Sequence, residues 1–435
     1  MFKNKSRATV GTAAGRSEYE WSFNSSKIDV KMRNKNPNQV GYFFLYFALS
    51  IIRIYLVVYV PAFLLNILLI NRSQLAFIQV FVYLVMFLGP ILGYLFDRYT
   101  KNKKLILISS IHLFLISFLF TVLNGSSVGI FGLFLALNLI AQKFIEVIVS
   151  KIIIESSKNE HVKDGNLAAI NISSNIGSFI PSVIFLFTVN NIFDVNQWNV
   201  FFIFGFLSSL PIILSIFLIR EKTKYSEKKK EKFENEAVNF GRSNTFNLIL
   251  LFLSYLFIWS DKLYQFPFSS WILTKFGEEG FNIYSLFYII LILLNISGWV
   301  IGQRISKKND DKINKIRDDN HYKRNIIAIT VSIYIVLNFM MAFSDFLILM
   351  VVQGIIQVVA GIMMLNYVSL MMAFSNIGKY KTFKFQCLKI AYAFSCVVFI
   401  PLGTYFSAFI EIEILIVTVG FLSIIALVPL VFLKT

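Results

Sequence analysis

The feature that most limits the fold is a repeated one: long apolar runs, each about the length needed to cross a bilayer, separated by short polar breaks. Hydropathy and the breaks place the runs at 41–69, 74–96, 104–124, 127–152, 166–190, 198–219, 246–274, 281–303, 325–343, 346–373, 384–409 and 413–433. A helix needs roughly 20 mostly apolar residues to span the hydrocarbon core. Within lipid every backbone N–H and C=O must be paired inside the chain, so each run is expected to be helical. The expectation is an all-α, polytopic membrane protein with twelve transmembrane helices. The runs at 127–152, 246–274 and 346–373 are long enough to tilt or to project beyond the bilayer.

Charge is scarce and segregated. Hydrophobic residues make up 57% of the chain and charged ones 15%, against roughly 25% charged in soluble domains. The net charge of +17 invites a nucleic-acid reading, but its placement argues for another. Of 41 Lys and Arg, 35 lie in or beside the even-numbered breaks and the two tails, whereas the odd-numbered breaks hold only Arg72 and Lys275. Such alternation sets membrane orientation, with the basic side in the cytoplasm. Both termini are therefore expected to be cytoplasmic in a multi-pass protein of the cell membrane, with no nucleic-acid partner. An odd number of spans would destroy the alternation.

The remaining segments give the domain plan. Residues 1–40 are polar and lack an apolar h-region, so they read as a cytoplasmic tail rather than a cleavable signal. The charged stretch 220–245, with the Lys228-Lys229-Lys230 run, reads as a cytoplasmic linker between a six-helix bundle at 41–219 and another at 246–435. Cys387 and Cys396 share one apolar run, which suggests neither a disulfide framework nor a metal site. No cofactor is expected.

Between the second and third runs the chain reads Gly89-Pro90-Ile91-Leu92-Gly93-Tyr94-Leu95-Phe96-Asp97-Arg98-Tyr99-Thr100-Lys101. Gly89 and Gly93 lie on one helical face and permit close approach of another helix, with Asp97 on the same face at the basic end. A carboxylate there can accept from a neighbouring helix N-terminus or pair with a cation, in one conformation and not in another. The alternative is a solvated loop acid. The segment resembles the GxxxDRxGRR loop of the major facilitator superfamily: Gly93, Asp97, Arg98 and Lys101 match, and Thr100 stands where the family usually has Gly. The resemblance implies two six-helix bundles related by a pseudo-two-fold axis, secondary transport by alternating access, and a conformational latch at Gly89, Gly93, Asp97, Arg98 and Lys101. A weaker echo follows between the eighth and ninth runs, at Gly298, Gly302 and Arg304. A shift of 209 residues carries Gly89 onto Gly298, Arg53 onto Lys262 and Asp97 onto Ser306. Paired halves of this kind are common in transporters.

Six charges remain once those in and beside the breaks are set aside: Arg53, Lys143, Glu146, Asp261, Lys262 and Lys389. Each costs roughly 2.5–3.5 kcal/mol at mid-membrane by insertion scales, so they should face one another or a wet cavity. The resemblance implies that the first, fourth, seventh and tenth runs line that cavity. Lys143 and Glu146 are three apart and can pair, or Glu146 can exchange Lys143 for Arg53. The alternative is a permanent ion pair that only fixes packing. Protonating Glu146 or Asp261 would release a salt bridge, which makes both candidate proton carriers. Lys389, nearer the basic end, is expected to snorkel outward. Four cations against two acids call for an anionic or zwitterionic solute, with Arg53, Lys143 and Lys262 as counter-ions. Asn138, Gln142, Gln353, Gln357 and Tyr264 are further candidate substrate contacts, although the glutamines can equally join helices.

The expected partners are a small solute, protons and the lipid bilayer, and the chain is expected to act as a monomer. Asn171–Phe179 is similar to a segment of proton-coupled oligopeptide transporters, which also carry Lys on the fourth span and Arg on the first. Those proteins have two Glu before that Arg, where this chain has Leu49 and Ile52. The Gly-Pro fifth-span motif of drug–proton antiporters is missing, since Pro181 follows Ile180. A multidrug or metabolite efflux antiporter remains an alternative. A membrane-embedded transferase needs acidic metal ligands or a His beside a nucleophile, and neither is evident. A transport-dead sensor is a further alternative.

Overall fold

The computed structural model describes residues 38–100, 102–123, 128–156, 160–191, 193–219, 241–265, 267–268, 271, 280–310, 316–377, 379–407 and 409–433. The 1–37 tail, Lys101 of the loop motif, and most of the 220–245 linker lie outside them. All secondary structure among these residues is helical.

Proline accounts for three interruptions. The first expected span is α1 (Gln39–Ile54), a π-helical turn at Tyr55–Tyr59, and α2 (Val60–Asn66). Pro61 has no N–H for the carbonyl one turn back, so the regular ladder is lost just upstream. Side chains hold the altered turn: the Tyr55 hydroxyl donates to the Phe201 carbonyl at 2.8 Å, and the Tyr59 hydroxyl donates to Ser182 Oγ at 3.0 Å. The second span is α3 (Arg72–Leu84), a 3-10 turn at Val85–Phe87 before Pro90, and α4 (Leu88–Tyr99). Pro211 separates α8 (Val195–Ser209) from α9 (Ile212–Leu218) in the sixth.

The intervening spans are α5 (Lys103–Leu123), α6 (Val128–Ser156) and α7 (Glu160–Thr188). The second half supplies α10 (Gly241–Ile258), continued by a 3-10 turn at Trp259–Asp261. There follow α11 (Gly280–Asp310), α12 (Ile316–Ala342), α13 (Phe346–Ser375), α14 (Lys381–Phe406) and α15 (Ile412–Phe432). Among the described residues, 11 helical stretches are long and apolar enough to cross a membrane. The expected count of twelve is not reached by that measure, because the π turn leaves the first span with a 16-residue helix. The 29-residue α6 and 30-residue α13 are longer than a bilayer requires, as expected. So is the 31-residue α11, whose charged C-terminal turn had read as loop.

Helix pairings on two sides join residues 41–219 to residues 246–433: α7 packs on α11 and α13, and α14 packs on α3, α4 and α6. The halves place their repeated glycines differently. Gly93 faces α14: a Cβ there would lie 3.1 Å from the Phe383 Cα. Gly298 faces α13, where a Cβ would lie 2.2 Å from the Val358 carbonyl oxygen. The shared spacing thus serves a contact between the halves in one case and within the second half in the other.

Candidate functional site

Asp97 and Glu146, on α4 and α6, anchor two polar centres in which the halves meet. At the basic end, Asp97 Oδ1 pairs with Lys151 Nζ at 3.1 Å, and Oδ2 accepts from the Phe383 backbone N–H at 3.1 Å. Phe383 is in the first turn of α14, whose unsatisfied N–H groups favour a carboxylate. The residue before that helix, Tyr380, has φ 58° and ψ 49° and makes no side-chain cap bond. Asp97 therefore supplies from the first half a cap that α14 does not make for itself. Gly93 is needed for the approach, and its lack of Cβ brings the two backbones together. Both the cation and the helix terminus anticipated for Asp97 are present at once.

The cation is Lys151, which had been counted with the loop charges. It is buried, also donates to the Phe96 carbonyl at 2.9 Å, and lies 3.2 Å from Glu155 Oε1. Its signal in the sequence was the i, i+4 spacing to Glu155 at the end of an apolar run. Arg98 differs: its guanidinium donates to the Tyr94 hydroxyl at 2.7 Å and lies 5.1 Å from the Tyr99 ring centroid.

Deeper in the protein, Glu146 is surrounded. Arg53 Nη2 of α1 binds Oε1; Lys143 Nζ, one turn away on α6, is 3.4 Å from Oε2; and Lys389 Nζ of α14 is 3.7 Å from Oε2. The expectation that Lys389 snorkels outward is corrected: a membrane-embedded cation gains more from a buried carboxylate than from a long reach to the interface. Three cations share one acid, so the cluster carries two uncompensated positive charges in its ionised form. The arrangement can hold a carboxylate or another small anion in place of, or beside, Glu146.

Another amide borders this cluster. Gln386, one turn before Lys389, is 1% exposed, and neither its oxygen nor its nitrogen has a hydrogen-bond partner among the described residues. Sequence reading passed over it. Its spacing of three from Lys389 was the available signal.

Asp261 and Lys262 lie where α10 gives way to the 3-10 turn. The Lys262 ammonium sits 5.0 Å from the Trp259 ring centroid, a cation–π placement. Asp261 Oδ1 is buried with no hydrogen-bond partner among the described residues, as is Gln353 Oε1. Tyr264 is buried and in electrostatic contact with Asp261, and it neighbours Gln353 and Tyr334. Thus Asp261, Tyr264 and Gln353 form a second centre, with the acid and the lysine turned to different surroundings.

The other polar candidates join helices. Asn138 donates to the Phe114 carbonyl at 2.9 Å, and Gln142 donates to Asn138 Oδ1 at 2.8 Å, tying α6 to α5. Gln357 accepts from Asn295 Nδ2 at 3.2 Å, and Asn295 accepts from Asn175 Nδ2 at 2.9 Å. That chain links α7, α11 and α13. Neither group reaches Glu146.

With this geometry in hand, the family is decided by comparison. The Major Facilitator Superfamily model matches residues 40–383. The chain belongs to that superfamily. Among curated proteins none matches the sequence. It is a multi-pass membrane protein of a transporter family, and Gly93 and Asp97 sit within the matched region. Members of the superfamily are transporters as a class rather than enzymes.

Proposed function

We propose that this major facilitator is a secondary transporter for a small organic anion, and that it works by alternating access coupled to protons. The observation that carries the reading is the sharing of Glu146 among Arg53, Lys143 and Lys389. An incoming carboxylate competes with Glu146 for these cations. Because Lys389 comes from α14 and the other groups from α1 and α6, binding changes a contact between the halves, which can shift their equilibrium. A zwitterion fits less well, since its ammonium would add to an excess of positive charge.

In this reading Asp261 carries the proton. Among the described residues one of its oxygens accepts no hydrogen bond, so protonation there removes a costly buried charge, whereas protonating Glu146 would strand three cations. The Asp97 contact at the basic end is the latch, closed in this structure and broken when that side opens. The 41–219 and 246–435 segments act as the two moving bundles. The basic side, with both termini, faces the cytoplasm of the cell membrane, and the chain works as a monomer with solute, protons and lipid as its partners.

Purified protein in liposomes, given an inward proton gradient and a panel of radiolabelled organic anions, tests this. The wild type should accumulate at least one of them, with uptake lost in Arg53→Ala and Lys143→Ala. Uptake that is unchanged in both variants would sink the reading.

A further inference from the structure

Gln386 is a buried polar group at the cation cluster that the proposed cycle leaves unused. Both ends of its amide lack partners among the described residues, so exchanging the amide oxygen and nitrogen would not satisfy it. Bare buried polar groups cost about 1–3 kcal/mol each, and sites retain them where something else supplies the bond. Its position is defined by Gly89 on α4. A Cβ built there would lie 3.1 Å from Gln386 Oε1, 2.9 Å from Lys143 Cε and 3.6 Å from Lys143 Nζ. The absent side chain of Gly89 therefore lets the α4 backbone close on the amide and the lysine stem, which places Gln386 beside Lys143. Lys389, on the same face of α14, reaches the same Glu146 oxygen as Lys143.

We propose that Gln386 reads a hydroxyl on the transported anion, so that the preferred substrates are hydroxycarboxylates. The inference rests on the anion reading above. The carboxylate takes the place of Glu146 among the cations. The group beside it must meet a bare C=O and a bare NH2. A hydroxyl does so, because it donates one hydrogen bond and accepts another. A methylene does neither and leaves the amide unsatisfied. An ammonium only donates, and it brings a further positive charge to three cations sharing one acid. A site built to hydrogen-bond a hydroxyl discriminates strongly against the analogue that lacks it.

The test uses full-length protein in lipid nanodiscs and matched probes: lactate, propionate and alanine, then malate, succinate and aspartate. Affinity is measured by calorimetry. Wild type should bind each hydroxy acid about tenfold more tightly than its plain partner, as expected for one or two net hydrogen bonds, with the amino acid weakest. In Gln386→Leu and Gln386→Met the hydroxy-to-plain ratio should fall to within about twofold of one. Two apolar replacements of different shape are used so that one misfolded variant does not decide the matter. A wild type that binds plain and hydroxy acids equally, or variants that keep the wild-type ratio, overturns the assignment while leaving the anion reading intact. A wild type that binds none of the six overturns both.

Discussion

Glu146 and Asp261 are both carboxylates within spanning segments, yet their surroundings are opposite. Glu146 is gripped by three cations from three helices. Among the described residues one buried oxygen of Asp261 has no donor, and its neighbouring Lys262 lies against the Trp259 ring. The contrast teaches that a charge count does not assign roles. Four cations and two acids over the whole interior divide into a centre with excess positive charge and a centre with an under-satisfied acid. The first suits an anion, the second a proton.

Removing each acid separates them most sharply. Glu146→Gln strands Arg53, Lys143 and Lys389, and breaking a buried ion pair costs about 3–5 kcal/mol. Thermal unfolding in detergent should show a large loss, recovered in part by adding Lys389→Met. Asp261→Asn should unfold within about 1 kcal/mol of wild type, because an amide tolerates that site at least as well as an unpaired charge. Equal losses in the two variants would erase the comparison.

Transport assays sharpen it next. Asp261→Asn should reduce proton-gradient-driven accumulation more than tenfold while sparing exchange of substrate across the membrane at equal pH. Counterflow and gradient-driven uptake in the same liposomes distinguish these. A variant that loses both would place Asp261 with substrate rather than with the proton.

The lysines give a smaller effect. Lys389→Met should weaken anion binding about tenfold and Lys262→Met less than twofold, measured by calorimetry. The reverse order would move the anion to the second centre. Smallest is the effect at the basic end. Asp97→Asn should leave affinity within about twofold of wild type and raise the access of a thiol reagent to a cysteine placed at Thr382, whereas Arg98→Ala should change neither.

Much of this was legible in the chain. Run lengths gave the helices, and the Gly93–Asp97 spacing gave an acid beside a close helix contact, because these depend on local periodicity. Proline at 61, 90 and 211 was visible too, but its consequence depends on what neighbours supply: the π turn exists where Tyr55 and Tyr59 find Phe201 and Ser182. That is a tertiary fact. The same holds for the site. Arg53, Lys143 and Glu146 could be grouped from composition, yet Lys389 read as a snorkelling residue, and Lys151 as a loop charge. Both are brought to an acid by helix packing across more than 50 positions in sequence. Asn138 and Gln142 looked like cavity residues for lack of any sequence signal that α5 would occupy their hydrogen bonds.

The central claim is that Glu146 and the substrate anion compete for the same cations. Calorimetric titration of wild type, Glu146→Gln and Lys143→Met with one transported anion in nanodiscs tests it directly. Removal of the internal competitor should tighten binding in Glu146→Gln by about tenfold, and loss of a cation should weaken it in Lys143→Met by a similar factor. Weaker binding in Glu146→Gln would contradict the account, since Glu146 would then be assisting the anion rather than yielding to it.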